Sequence, residues 1–275
     1  MIFYFSGTGN SAWVAHRLVE CRLQVSQGAA VEAGVGRSAS EGASLERVFS
    51  IAQALRDPQV YSLASQEALG FVFPVYAWGP PPVVLRFLEQ LQMAELPSYV
   101  YFVCTCGDDT GRTAQVFSAA LRRKGWTCAA GWSVTMPNTY VSLPGFEVDA
   151  AEVEEQKVQH AQARLQFIAD ELDRRVQMTT FNCHEGVAPY TKTYVLRPLF
   201  QTFLMSPRPF HVSETCVGCG KCVQVCPLQN IRLKDARPVW GTDCAHCLAC
   251  YHVCPMHAVA YGQWTRGKGQ YRRFL

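Results

Sequence analysis

The sequence has no uncharged apolar run of about 18 residues, so no membrane-spanning helix is expected. Met1-Ile-Phe-Tyr-Phe5 has no basic segment before it and is too short for the apolar core of a signal peptide; a cytoplasmic protein is expected. There is no Gly-Lys-Ser/Thr, which excludes an ATP phosphate loop. No basic helix with interleaved aromatics accompanies the net charge of +3, which argues against nucleic-acid binding. Of the 13 Cys, five (Cys21, Cys104, Cys106, Cys128, Cys183) are scattered without pairing logic, as suits a reducing compartment.

The other Cys are the strongest feature. Cys216-Val-Gly-Cys219-Gly-Lys-Cys222-Val-Gln-Val-Cys226-Pro227 is followed by Cys244-Ala-His-Cys247-Leu-Ala-Cys250-Tyr-His-Val-Cys254-Pro255, the same C-x2-C-x2-C-x3-C-P spacing twice. Three thiolates on one tight loop can hold three irons of a 4Fe–4S cubane, and a remote fourth closes the cage. In two-cluster ferredoxins the fourth Cys of each run serves the other cluster. Cys216, Cys219, Cys222 and Cys254 are therefore expected to hold one cluster, and Cys244, Cys247, Cys250 and Cys226 the second. Gly218 and Gly220 leave room for the loop to wrap the cage. Zinc would use two CxxC pairs but has no use for a third Cys at the same interval or for the following Pro. A disulfide framework would need an oxidising compartment.

At the other end, Ile2–Phe5 reads as a buried strand and Ala12–Glu20 as a helix, joined by Ser6-Gly7-Thr8-Gly9-Asn10-Ser11. Strand, Gly- and hydroxyl-rich loop, helix N-terminus is the architecture of a phosphate site. Gly7-x-Gly9-x-x-Ala12 also fits a dinucleotide fingerprint. The interleaved hydroxyls favour a terminal monophosphate, and the acid expected about 20 residues on would be Glu32, in a stretch unsuited to a strand. The loop resembles the FMN phosphate loop of flavodoxins. That resemblance implies a doubly wound, five-stranded parallel α/β sheet of order 2-1-3-4-5, with FMN at the carboxyl ends of the strands. Two later loops would then hold the ring: Pro74-Val-Tyr76-Ala-Trp78-Gly79 after strand 69–73, and Thr105-Cys106-Gly107-Asp108 after strand 99–105. Tyr76 and Trp78 would flank the ring, or pack under the next helix. Cys-Gly-Asp is similar to the flavodoxin loop at the pyrimidine edge, although the stacking Tyr that commonly follows it is here Thr110-Gly111-Arg112. Asn138 or Tyr140, after strand 127–135, would supply the missing contact, or that segment is a plain loop. Cys106 is expected to be packed and inert.

Strand 47–52, helix 112–123 and an amphipathic helix over 152–176 complete the first domain, residues 1–178. Residues 23–46 read as a mobile insertion without assigned function. Residues 179–213, rich in Tyr, Phe and Leu, read as a packed connector. Residues 214–275 form a small α+β two-cluster ferredoxin domain, carrying eight Lys and Arg against three acids and ending in a solvated basic tail. His246, His252 and His257 are expected to pack or hydrogen-bond near the clusters. The two halves resemble the flavodoxin–ferredoxin fusion family. The resemblance implies two 4Fe–4S clusters and FMN in an electron-transfer iron–sulfur flavoprotein that interconverts one- and two-electron traffic. Its expected partner is a soluble redox protein, such as an acidic ferredoxin attracted by the basic domain. Alternatives are an FMN-dependent reductase of a small organic acceptor and a redox or oxygen sensor. No NAD(P)H site is evident.

Overall fold

The computed structural model describes residues 1–32 and 46–275. Alternation builds the sheet: successive residues of β1 (Ile2–Tyr4) point to opposite faces, and both faces are covered. β2 (Val48–Ser50) and β3 (Leu69–Pro74) flank β1, followed outward by β4 (Val100–Cys106) and β5 (Cys128–Thr135). Every pairing is parallel and the order is 2-1-3-4-5, as expected. Phe3, Phe71, Phe73 and Phe102 fill one face, under α2 (Ile51–Arg56), α3 (Pro82–Gln90) and α4 (Thr113–Arg123). Phe117 of α4 stands 4.7 Å from the Phe73 ring and 5.4 Å from that of Phe71. Ile2, Val72, Tyr101 and Trp132 fill the other face, against Leu18 of α1 (Asn10–Glu32) and Leu165 and Ile168 of α5 (Ala151–Asp173).

The ends of β2 and α1 differ from expectation. β2 stops at Ser50 because that hydroxyl caps α2, accepting from Gln53 N–H at 3.4 Å. Helix α1 continues to Glu32, so the first part of the supposed insertion is helical; 33–45 lie outside the described residues.

The connector packs closely. Asn182 joins the free edge of β5, donating to Gly131 O at 2.8 Å and accepting from Ser133 N–H at 3.1 Å. Pro189–Thr191, a π-helical turn Lys192–Leu196, and Arg197–Phe203 then run as one helical stretch. In the C-terminal part β6 (Phe210–Val212) pairs antiparallel with the last strand, β9 (Val259–Tyr261), and β7 (Ile231–Lys234) with β8 (Arg237–Trp240). Two short helices, α6 (Lys221–Val225) and α7 (Ala249–Val253), follow the Cys loops. Its core of Phe210, Ile231, Tyr251, Val259 and Tyr261 also takes Val141 from the first half of the chain.

The tail is not a solvated end. Tyr271 is buried, and the Phe274 ring stacks on Trp13 at 5.1 Å. Lys268 donates to the carbonyls of Val141 and Phe146, and Arg272 to those of His252 and Cys254. Arg273 pairs with Glu155 at 2.8 Å. Backbone carbonyls thus take up the donors of Lys268 and Arg272, and α5 carboxylates pair with Arg273. Among the described residues no helix is long and apolar enough to cross a membrane.

Candidate cofactor site

A cavity of about 710 Å³ opens at the carboxyl ends of β1, β3, β4 and β5. It lies at the switch point of the sheet, where an α/β fold leaves a crevice. Ser6, Gly7, Thr8, Asn10, Ser11, Pro74, Tyr76, Trp78, Thr105, Cys106, Gly107, Asp108, Asn138 and Tyr140 all line it. Two candidates do not. Gly9, at φ +91°, turns its back to the cavity: a Cβ there would meet the Phe274 carbonyl at 2.1 Å. Gly79 is packed against the Arg197 guanidinium.

The loop after β1 leaves the first N–H groups of α1, those of Asn10 and Ser11, without intrahelical partners beside the cavity. Ser6 Oγ accepts from Gly9 N–H at 3.1 Å and tightens the turn. The hydroxyls divide their work. Ser11 bonds Thr105 at 2.8 Å, tying the start of α1 to β4. The Asn10 side chain frames the site from outside: its amide donates to Pro137 O at 2.9 Å, and its oxygen accepts from Tyr271. Thr8 donates to Thr139 at 3.3 Å. Backbone N–H groups at a helix N-terminus, with Thr8 and Ser6 around them, form a donor set that fits a phosphate.

The ring loops are fixed differently. Ala77 and Trp78 lie at φ 46° and 59°, locked by reciprocal hydrogen bonds between Tyr76 and Gly79. Gly107 has the Asn138 side chain directly over it; a Cβ would sit 1.6 Å from Asn138 Oδ1. Asn138 in turn is held by Asp149, through its N–H at 2.9 Å and its amide at 3.1 Å, and Asp149 pairs with Lys157. Asn138 therefore shapes the loop, with its amide already engaged. Burial pushes the Cys106 thiol up to about 12, in keeping with an inert Cys.

Several walls were not evident from the sequence. Lys192, Phe200 and Met205 of the connector close one side, and His246, Cys247 and Leu248 close another. Lys192 pairs with Asp109 at 2.5 Å and lies 5.6 Å above the Trp78 ring. Tyr140 packs on Phe146 at 5.3 Å, Phe200 at 5.8 Å and His246 at 6.1 Å, and its buried hydroxyl has no partner among the described residues. His246 is buried, and neither ring nitrogen is bonded among the described residues. Burial pushes its pKa down to about 4. The aromatic content of 179–213 signalled packing but could not say against what. His252 does hydrogen-bond, as expected: Nδ1 accepts from Tyr271 N–H at 3.0 Å, so Nε2 donates to Thr139 O at 2.8 Å.

The eight Cys of the two runs fall into two quartets. Cys216, Cys219, Cys222 and Cys254 ring one cavity; Cys226, Cys244, Cys247 and Cys250 ring another. Gly218 and Gly220 take φ 67° and 73°, which lets the first loop curl around its cavity. Backbone N–H groups of Asn230, His246 and Ala258 donate to Sγ of Cys226, Cys244 and Cys254 at 3.2–3.4 Å. Burial pushes the Cys244 thiol up to about 11 and Cys247 to about 12, so thiolates there need a compensating cation, as iron supplies. Donor type, ring geometry and N–H···S bonds fit a cluster. Cys219 is exposed, whereas Cys250 is buried. The inner quartet adjoins the large cavity. A methyl placed on Gly7 would lie 2.3 Å from Cβ and 3.0 Å from Sγ of Cys247.

Residues 208–259 match the family described as 4Fe-4S dicluster domain. A search of curated proteins found no match to the chain. Similar solved structures include a flavodoxin of Streptococcus pneumoniae TIGR4, at 15% identity and TM-score 0.34, covering 64% of this chain and 97% of that one. The Trp repressor binding protein of Bacillus subtilis is similar at 13% identity and TM-score 0.33, covering 60% and 96%. An FMN-dependent NADH-azoreductase of Bacillus anthracis is similar at 10% identity and TM-score 0.33, covering 62% and 98%. The chain thus joins a five-stranded parallel α/β sheet of order 2-1-3-4-5 to a C-terminal part that matches the 4Fe-4S dicluster domain over 208–259.

Proposed function

We propose that the chain is an electron-transfer iron–sulfur flavoprotein that relays electrons between two 4Fe–4S clusters and FMN. The observation that carries this reading is the contact of Gly7 with Cys247, which places a wall of the inner quartet inside the cavity of the phosphate loop. In this reading the quartets are the ligand sets. Ser6 to Ser11 take the phosphate, and the loops at 74–79, 105–108 and 138–140 surround the ring. Bound there, the clusters would supply single electrons and FMN would store one or two. Cys247 and its loop exclude water between the two sites. Asn138, fixed by Asp149, keeps the Gly107 backbone in place.

The partner proposed is an acidic redox protein docking at the outer quartet. Exposed Cys219 is surrounded by Val217, Leu233 and Met256, and Lys221, Arg232, Lys234 and Arg237 are exposed on the same part of the chain. Such charges raise association rates by long-range attraction and lose effect as salt screens them over about 8–10 Å. Arg272 and Arg273 take no part, since both are engaged internally. Stopped-flow cluster reduction by an acidic ferredoxin should slow several-fold from low to high ionic strength. Neutralising Lys221, Arg232 and Lys234 to Gln should flatten that slope at unchanged iron content. A rate indifferent to salt would overturn this docking.

A second reading, reduction of a small organic acceptor at the flavin, is favoured by one observation. Tyr140 Oη and both nitrogens of His246 are buried at the cavity without partners among the described residues. Flavin reoxidation by small acceptors that is slowed in Tyr140→Phe, with cluster reduction unchanged, would support it.

A further inference from the structure

The helical stretch 189–203 is inside out. Lys192, Thr193 and Arg197 face the protein: Thr193 is buried, donates to Trp78 O at 2.8 Å and accepts from Arg112 N–H at 2.8 Å. Arg197 donates to Pro80 O at 2.9 Å, and Lys192 pairs with Asp109. Apart from Phe200, which lines the cavity, its large apolar side chains face outward. Tyr190 is 68% exposed and Phe203 71%, with Tyr194, Val195, Leu196 and Leu199 between them and Val187 just before, at 82%. Elsewhere among the described residues exposed large apolar side chains are scattered, apart from Val217, Leu233 and Met256 around Cys219. A concentrated outward apolar face marks something that covers it.

Charge and size decide what does. From Gly186 to Ser213 there is no Asp or Glu. The strand end at 261–264 abuts this segment, with Tyr261 donating to Leu204 O at 2.8 Å and Ser206 O at 3.1 Å. Gly262 N–H donates to Pro209 O at 2.9 Å, so the segment that leads to exposed Trp264 and Arg266 runs beside the one that carries exposed Arg208. Among the described residues neither guanidinium forms an ion pair. A second copy of the chain in a two-fold contact would set these cations against their own images, with no carboxylate on the patch to pair them. A stable dimer also needs about 20–30 residues a side, and one helix face offers far fewer. An anionic lipid surface suits both features. Apolar side chains enter to about 5–10 Å, Tyr and Trp sit at the headgroup level, and the rim Arg meet phosphates. At ~1.5 Å per residue the stretch is roughly 22 Å long, short of the ~30 Å of a bilayer core, so it lies in the interface plane.

We infer that the outward face of residues 187–203, rimmed by Arg208 and Arg266, is a docking surface for an anionic membrane. The same helix supplies Lys192 and Phe200 to the large cavity, so docking sets that cavity beside the lipid headgroups.

The test is co-sedimentation of the full chain, purified anaerobically, with vesicles of phosphatidylcholine alone or mixed equally with phosphatidylglycerol. Binding to the mixed vesicles should exceed that to phosphatidylcholine by roughly tenfold at low salt. Tyr194→Ser/Leu199→Ser/Phe203→Ser removes only outward side chains and should abolish binding while cluster absorbance is kept. Arg208→Gln/Arg266→Gln should lower it several-fold on the mixed vesicles alone, a readout that survives if the triple variant does not fold. No binding to either vesicle, or a concentration-dependent dimer in sedimentation velocity that the triple variant abolishes, would overturn the inference. These outcomes do not depend on which cofactor the cavity holds.

Discussion

The phenol of Tyr271 donates to Oδ1 of Asn10 at 2.6 Å, joining the C-terminal tail to the loop that follows the first strand. The same Asn10 reaches Pro137 O with its amide, so one side chain ties three segments together. Tyr271→Phe strands a buried acceptor, which costs about 1–3 kcal/mol. FMN affinity and thermal stability should both fall, with iron and sulfide content unchanged. Fluorimetric FMN titration of the apoflavin protein checks the first and calorimetry the second.

Chain order and cluster membership separate at Cys226. It follows Cys222 in sequence but lines the cavity of Cys244, Cys247 and Cys250. Cys226→Ser should therefore disturb the inner cluster, replacing a soft charged ligand by a poorer one, and leave the outer cluster intact. Cys254→Ser should do the reverse. Electron paramagnetic resonance of the reduced variants distinguishes the two, and loss of the outer signal in Cys226→Ser would refute the crossed assignment.

What was legible in the sequence was local. The Cys intervals, the Gly and hydroxyl loop at 6–11 and the apolar strands specify their chemistry within a few residues, and the sheet order came from the flavodoxin resemblance that this loop carries. The walls contributed by Lys192, Phe200 and His246 were not legible, because tertiary packing alone brings them to the cavity. Asn10 was misread in part: its type suits an anion, but its side chain is already engaged by Tyr271 and Pro137. The basic tail misled for a similar reason, since acceptors for Lys268, Arg272 and Arg273 lie far off in sequence.

Glu67 predicts a pH dependence. Burial raises its pKa, but hydrogen bonds from Arg47, the N-terminal ammonium and Ala64 N–H outweigh that and bring it from 4.5 down to about 2. A carboxyl whose folded pKa is depressed stabilises the fold above its unfolded value and loses that contribution as pH falls through the folded one. The Tm difference between wild type and Glu67→Gln should thus be constant above about pH 5 and shrink between about pH 4.5 and 2. Partial exposure and screening keep the difference modest. A gap that widened on acidification would contradict the sign.

Gly7 offers the sharpest test of whether the two halves act as one device. Its Cα faces Cys247, and a Cβ would lie 2.3 Å from that residue's Cβ, so Ala cannot enter without a shift. The neighbour that must yield is not a flexible tip: Cys247 sits on the loop that also carries His246 and Leu248 into the cavity. Overpacking of this kind costs about 1–3 kcal/mol. The strain should be shared between the phosphate loop and the inner quartet. Gly7→Ala is therefore expected to weaken FMN binding about tenfold or more, at 1.4 kcal/mol per factor of ten. It should also change the inner cluster's resonance signal while the outer signal stays as it was. If flavin affinity fell with both cluster signals unaltered, the contact would be mere packing and the relay would lose its main support. If the outer cluster changed instead, the placing of Cys247 beside the phosphate loop would be wrong.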